Sequence, residues 1–323
     1  MGAWPRTATL RRRTLLAAGL TTTAAGAASA TAPALIGGTG GGTGGGTGGG
    51  AGGDPGPGPD PGGLAAGCRA DAGRSPAGPA PDAGGAGAAR GFRAAFPRQG
   101  LVTNEYAFRH PDAADARLDR DWEVTSGSLF ARWTFGWTGV PDGDPPGPGS
   151  ARATGSAVFR LVTRRRDFGD TAVHALVLLE PPAATGRTPA RPWDGGHLWL
   201  RYHGPQELYA VSFRRRDGLL TVKRKLPVPG APPGTEGFYT TLATASHALE
   251  YGRWHHLSAT VSTTAAGSVR VRLALAGRRV LEAEDRAPGP LTAPGGVGIR
   301  ADNTELVFSG FTAVPCGHAD AGP

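Results

Sequence analysis

Between residues 156 and 312 the chain alternates apolar and polar side chains in short runs and almost nowhere spaces them as a helix would. The runs are 156–163 (SAVFRLVT), 171–179 (TAVHALVLL), 197–203 (HLWLRYH), 208–214 (LYAVSFR), 219–226 (LLTVKRKL), 254–261 (WHHLSATV), 268–276 (SVRVRLALA) and 305–312 (ELVFSGFT). Gly, Pro, Asp or Asn bound them. Alternation lays one row of side chains on a core and the other outside, so each run predicts a strand. Eight short strands without helices between them imply a sandwich or a barrel, an all-β domain.

The middle runs can be paired. Gly204-Pro205-Gln206-Glu207 reads as a four-residue hairpin loop, which sets Trp199 opposite Ser212 and His197 opposite Arg214. Asp217-Gly218 reads as a two-residue turn, which sets Arg214 opposite Thr221 and Ser212 opposite Lys223. One face then collects Leu198, Leu200, Tyr202, Tyr209, Val211, Phe213 and Val222. The other collects His197, Trp199, Arg201, Ser212, Arg214, Thr221, Lys223 and Lys225. A slip of one residue would scramble both sets, so their separation supports the meander. Arg224 falls on the apolar face, where a bulge or a snorkelling side chain would absorb it.

Composition divides the chain. Of 323 residues 54 are Gly and 29 Pro, but 17 of the glycines lie within residues 37–63, so the excess belongs to one segment and not to the strands. No strict three-residue Gly register runs with the prolines, which excludes a collagen, and no span of ~18 apolar residues predicts a membrane helix in the mature chain. Residues 1–30 read as a twin-arginine export signal: Arg11-Arg12-Arg13 precede a mildly apolar stretch ending in Ala28-Ser29-Ala30, a small-residue cleavage pattern. An uncleaved anchor is the alternative. Residues 31–91 read as a Gly/Pro/Ala-rich disordered tether, 92–316 as the folded domain and 317–323 as a frayed tail. The formal charge is +8, yet the first 30 residues carry four Arg and no acid, so the mature chain has 30 cations against 26 acids, or +4. That balance does not call for a nucleic-acid partner. A secreted monomer is expected, and outside the cell Cys68 and Cys316 could pair, with two free thiols as the alternative.

The strings Asn104-Glu105-Tyr106, Asp121-Trp122-Glu123-Val124-Thr125-Ser126-Gly127-Ser128-Leu129, Trp193-Asp194-Gly195 with His197, Gly252-Arg253-Trp254-His255-His256-Leu257, Gly296-Val297-Gly298-Ile299-Arg300 and Phe308-Ser309-Gly310-Phe311 carry a resemblance. Over about residues 98–313 the chain resembles secreted concanavalin A-like lectin/glucanase domains of high-GC actinobacteria. The resemblance implies a jelly-roll sandwich of two antiparallel sheets, one concave, with a sugar site on the concave face. Hydrolases, lyases and pure binders share that fold, so it implies an activity less firmly than an architecture. A structural calcium is common in jelly rolls, and Asn104, Glu105, Asp302 and Asn303 are the oxygen-bearing residues in place for it, although ordinary turn roles suit them better. No organic cofactor is expected.

The polar face offers the chemistry of a glycan site. Trp199 would stack on a pyranose, Arg201, Arg214, Lys223 and Lys225 would meet a carboxylate or sulfate, and His197 and Ser212 would add hydrogen bonds. The simpler reading is the solvated side of an antiparallel sheet. A polysaccharide lyase would need an acid, a base and a cation, for which His197, Tyr209 and Arg201 are the candidates, but Tyr209 sits on the core face. A glycosidase would need paired carboxylates, and the nearest pattern, Asp119-Arg120-Asp121-Trp122-Glu123, precedes the first clear strand. Glu282-Ala283-Glu284-Asp285 reads as a turn. The expectation is therefore a carbohydrate-binding module for a polysaccharide or cell-wall glycan, with lyase or glycosidase action, or a structural envelope role without ligand, as alternatives.

Overall fold

The computed structural model describes residues 91–141, 158–184, 189–232, 235–247 and 249–316, so the signal, the tether, Cys68 and the tail lie outside the described residues. In chain order the elements are β1 (Phe92–Arg93), β2 (Gln99–Asn104), α1 (Glu105–Arg109), β3 (Trp122–Ser126), β4 (Ser128–Arg132), β5 (Phe135–Trp137), β6 (Val158–Thr163), β7 (Thr171–Leu179) and β8 (Gly195–Gly204). They continue with β9 (Glu207–Arg215), β10 (Leu219–Leu226), β11 (Phe238–Ser246), β12 (Trp254–Thr263), β13 (Val269–Leu275), β14 (Arg278–Asp285), β15 (Gly296–Asp302) and β16 (Leu306–Pro315). No described helix is long and apolar enough to cross a membrane.

The strands form a jelly-roll sandwich of two antiparallel sheets, as the sequence leads one to expect. One sheet has nine strands, in the order β14-β13-β12-β7-β16-β5-β4-β2 with β1 paired to β16; the other has seven, in the order β11-β10-β9-β8-β15-β6-β3. Alternation puts the core between them. From the nine-stranded sheet come Val173, Ala175, Val177, Val271, Leu273 and Phe308, and from the seven-stranded sheet Leu161, Leu198, Leu200, Val211, Phe213, Val222 and Ile299, all buried in one cluster. Near β1 the core is aromatic, with Trp122 set edge-on to Phe92 and Phe311 at 5.2 and 5.3 Å between ring centroids. Gly310, at φ 57°, makes a bulge in β16 through which Phe308 and Phe311 both face inward.

All eight runs read from the alternation are strands. The registers in the meander differ from those expected, for two reasons. At the β8–β9 hairpin Gly204 pairs with Glu207, but a bulge between Leu200 and Gly204 then sets Trp199 opposite Ala210 and His197 opposite Ser212. The next turn closes one residue early, through the Gly218 N–H to Arg215 O bond, so Thr221 lies opposite Ser212 and Lys223 opposite Ala210. Both shifts are even at the pairs concerned, so most side chains keep their face. Glu282–Asp285 is not a turn but the end of β14, where Glu282 and Glu284 face Arg272 and Arg270 across the ladder.

The interior is not wholly apolar. Arg201 is fully buried, and its guanidinium donates to Leu291 O at 2.6 Å, Asp170 Oδ1 at 2.6 Å and Thr263 Oγ1 at 2.9 Å. Nearby, Asp285 Oδ2 accepts from Tyr209 Oη at 2.6 Å and Arg224 Nη1 at 3.1 Å, while Tyr209 accepts from Leu291 N at 3.1 Å. Arg224 is therefore inside, as its parity requires, and its charge is matched by Asp285 from the opposite sheet. Both clusters grip the connection from β14 to β15, which passes from one sheet to the other.

Candidate functional site

The outer face of the seven-stranded sheet carries two transverse rows. The first runs Ser126, Arg160, Arg300, His197, Ser212, Thr221 across β3, β6, β15, β8, β9 and β10. The second runs Glu123, Val162, Gly298, Trp199, Ala210, Lys223. Beyond them Leu208, Lys225 and Tyr239 stand abreast on β9, β10 and β11.

The first row is a polar chain. His197 Nδ1 lies 2.8 Å from Ser212 Oγ, which lies 2.8 Å from Thr221 Oγ1. On its other side His197 Nε2 approaches Asp302 Oδ2 at 3.3 Å. Burial holds the imidazole below its ordinary 6.5 in spite of Asp302, leaving it neutral at pH 7. Burial acts the other way on Asp302, but Arg300, which donates from Nε at 2.8 and 3.0 Å, and His197 together outweigh it and keep the carboxyl ionised. Serine, histidine and aspartate thus meet here, but in a buried network in which each group already has a role.

Several sequence expectations change at one residue. Arg201 adopts φ 46°, and Leu200 and Arg201 both point inward. Arg201 therefore leaves the ligand face for the interior, because the bulge breaks the alternation. The same step turns Tyr202 outward, where it stacks on Trp199 with centroids 5.3 Å apart and planes 13° from parallel, and Arg166 covers it at 5.4 Å. Trp199 is consequently 3% exposed and offers no open ring to a sugar. The open aromatic on this face is Tyr239, 38% exposed, with Lys225 Nζ 5.0 Å and Lys223 Nζ 5.9 Å from its ring centre.

The catalytic candidates are not brought together. Tyr209 is in the core against Asp285, and burial followed by that hydrogen bond raises its pKa, whereas His197 lies on the opposite side of the sheet. Of the remaining cations, Lys225 is bound to Glu236 and Pro205 O, whereas Arg214 does not share the outer face: the bulge beside Gly196 skips Phe213 and turns Arg214 inward, where it donates to Arg215 O and lies 4.2 Å over Tyr251. Lys223 forms no ion pair among the described residues, and burial, then Arg215, lowers its pKa. The glycosidase pattern is also spent: Asp119 caps Trp122 N at 2.9 Å, Asp121 binds Arg120, and Glu123 binds Arg164 and Arg166.

The calcium set does not fit an ion. Asn104 caps α1 through Ala107 N at 2.9 Å, Glu105 binds Arg109 and Gly127 N, and Asp302 belongs to the other sheet. Among the described residues no three His, Cys, Asp or Glu gather to hold a metal. Residues missed by the sequence reading are Arg160, Arg300, Glu236 and Tyr239. Arg160 was open to detection, since it stands between inward Phe159 and Leu161; Tyr239 was not, because β11 has no apolar alternation.

No protein-family model matches the chain, and no curated protein does. Solved structures similar to it include the carbohydrate recognition domain of Emp46p in a potassium-bound form, at 10% identity and TM-score 0.41, covering 69% of this chain and 97% of that one. A legume lectin-like domain from Entamoeba histolytica is similar at 10% identity and TM-score 0.40, covering 61% and 91%. The Caenorhabditis elegans galectin LEC-6 is similar at 11% identity and TM-score 0.29, covering 46% and 85%. At such identities the likeness is one of fold.

Proposed function

We propose that the protein is an exported carbohydrate-binding module that takes a polysaccharide or cell-wall glycan on the outer face of its seven-stranded sheet. The observation that carries this reading is a pair of buried nitrogens on that face, Arg160 Nε and Trp199 Nε1, without acceptors among the described residues. Unmet buried donors cost about 1–3 kcal/mol each, and a hydroxyl-rich ligand supplies acceptors in such a place. Tyr239 adds an open aromatic surface beside two lysines. The separation of His197 from Tyr209 across the sheet weighs against lyase chemistry.

The test is retention on an array of neutral and acidic glycans by the chain from residue 31 onward. Retention that falls about tenfold in Tyr239→Ala, with an unchanged melting temperature, supports the reading. Retention of no glycan sinks it. Export by the twin-arginine route calls for cleavage after Ala30, which N-terminal sequencing of secreted protein reads directly. Pairing of Cys68 with Cys316 is part of the same proposal, and peptide mapping without reductant should find the two joined.

A further inference from the structure

The cations of the binding face are unequally used. Arg201 is spent on Asp170 inside the core, Arg166 on Glu123, and Arg300 commits its Nε to Asp302. Arg160 has no ion-pair partner among the described residues, although it sits directly opposite Arg300 and its Nε is buried. Two guanidinium groups side by side on a half-buried sheet face repel each other, and an anion between them removes that cost.

Glu236 is an acid within electrostatic reach of both arginines. Its side chain is 66% exposed, yet it binds Lys225, which is 3% exposed, and Arg160 and Arg300 both draw on the same carboxylate through space. The backbone beside it is fixed, because a Cβ on Gly237 would lie 2.6 Å from Leu226 O and 3.0 Å from Gln206 O. An exposed carboxylate on a sterically confined stem is thus held by one of the cations, Lys225, within the field of the other two. A half-exposed pair of this kind contributes little and is easily exchanged.

We infer that Arg160, Arg300 and Lys225 form an anion site, and that Glu236 occupies it as an internal competitor for the acidic group of a saccharide, a uronate carboxylate or a sulfate ester. The saccharide part rests on the glycan reading above; the anion part does not. A planar carboxylate or a sulfate oxygen pair matches the Arg160 fork, and its arrival displaces Glu236 from Lys225.

Calorimetric titration with inorganic sulfate, trigalacturonate and neutral galactotriose tests this on the chain from residue 31 onward, in Glu236→Gln, Arg160→Gln and Arg160→Lys, each checked for an unchanged melting profile. Glu236→Gln should bind sulfate and trigalacturonate several-fold tighter, and Arg160→Gln should lose about tenfold or more, with Arg160→Lys between them. Galactotriose should respond to neither. Sulfate binding that needs Arg160, without any saccharide bound, upholds the anion site and removes the glycan reading. Saccharide binding indifferent to both Arg160→Gln and Glu236→Gln does the reverse and overturns the inference.

Discussion

Arg201 and Asp170 illustrate how a buried charge can be both costly and indispensable. Desolvation of the guanidinium is offset by Asp170, Thr263 and the Leu291 carbonyl, so removing the arginine strands those acceptors. Arg201→Ala should lower the unfolding free energy by about 3–5 kcal/mol, and Arg201→Met, which refills the volume but leaves the same acceptors unpaired, should cost nearly as much. Urea titration compares the two, and a much smaller loss in Arg201→Met would mean that volume, not charge pairing, governs the site. Histidine protonation acts at the same scale. Burial lowers the pKa of both His197 and His174 from an ordinary 6.5. The unfolded chain then binds more protons than the folded one below pH 6.5, so this part of the stability is full above that pH and is lost as pH falls through the folded values. Unfolding free energy should drop between pH 7.5 and 5.5, and His197→Asn and His174→Asn should each flatten the slope; a pH-independent wild type would contradict this.

Among the elements, the β14–β15 connection is held by polar bonds rather than by apolar packing alone. Leu291 offers its carbonyl to Arg201 and its N–H to Tyr209, and Gly289 O lies 3.4 Å from Arg224 Nη1. Asp285→Ala should therefore leave Arg224 unpaired and destabilise by about 3 kcal/mol or more, with faster hydrogen exchange concentrated at 286–295 as the measurement. The β4–β5 turn is the opposite case. Trp133 and Thr134 sit at φ 55° and 68°, a left-handed pair that Asn-Gly fills without strain. Trp133→Asn with Thr134→Gly should raise stability by about 1 kcal/mol in thermal unfolding, less whatever the Arg98 contact with Trp133 contributes. These elements also mark what can be read from sequence. Strand β13 declares itself because Val269 and Val271 alternate with Arg270 and Arg272, and β7 because a short apolar run is bounded by Asp170 and Glu180. Strand β14 hides, because its outward acids look like a turn until Arg270 and Arg272 are placed opposite them, and its inward Asp285 makes sense only with Arg224.

For the whole molecule, the formal charge of +8 describes the outer face of the seven-stranded sheet poorly. Cations counted along the sequence go to the interior, to the β13–β14 ladder or to local turns, as Arg165 does with Asp167. The polar face of the meander was legible in outline, since His197, Ser212 and Lys223 do share it. The rest of it was not, because the bulge at Arg201 depends on Asp170, Thr263 and Leu291, the cover over Trp199 follows from that bulge, and the partner of Lys225 sits in a loop with no alternation to read. Residues 199–202 consequently belong to two structures at once. Arg201 secures the interior while Tyr202, one step later, shapes the surface over Trp199. A change of preference on this face, whether by selection or by design, is therefore most accessible at Arg160, Lys223 and Tyr239, where a new side chain alters the surface alone. At 199–202 the same change would have to be accompanied by a second one in the core.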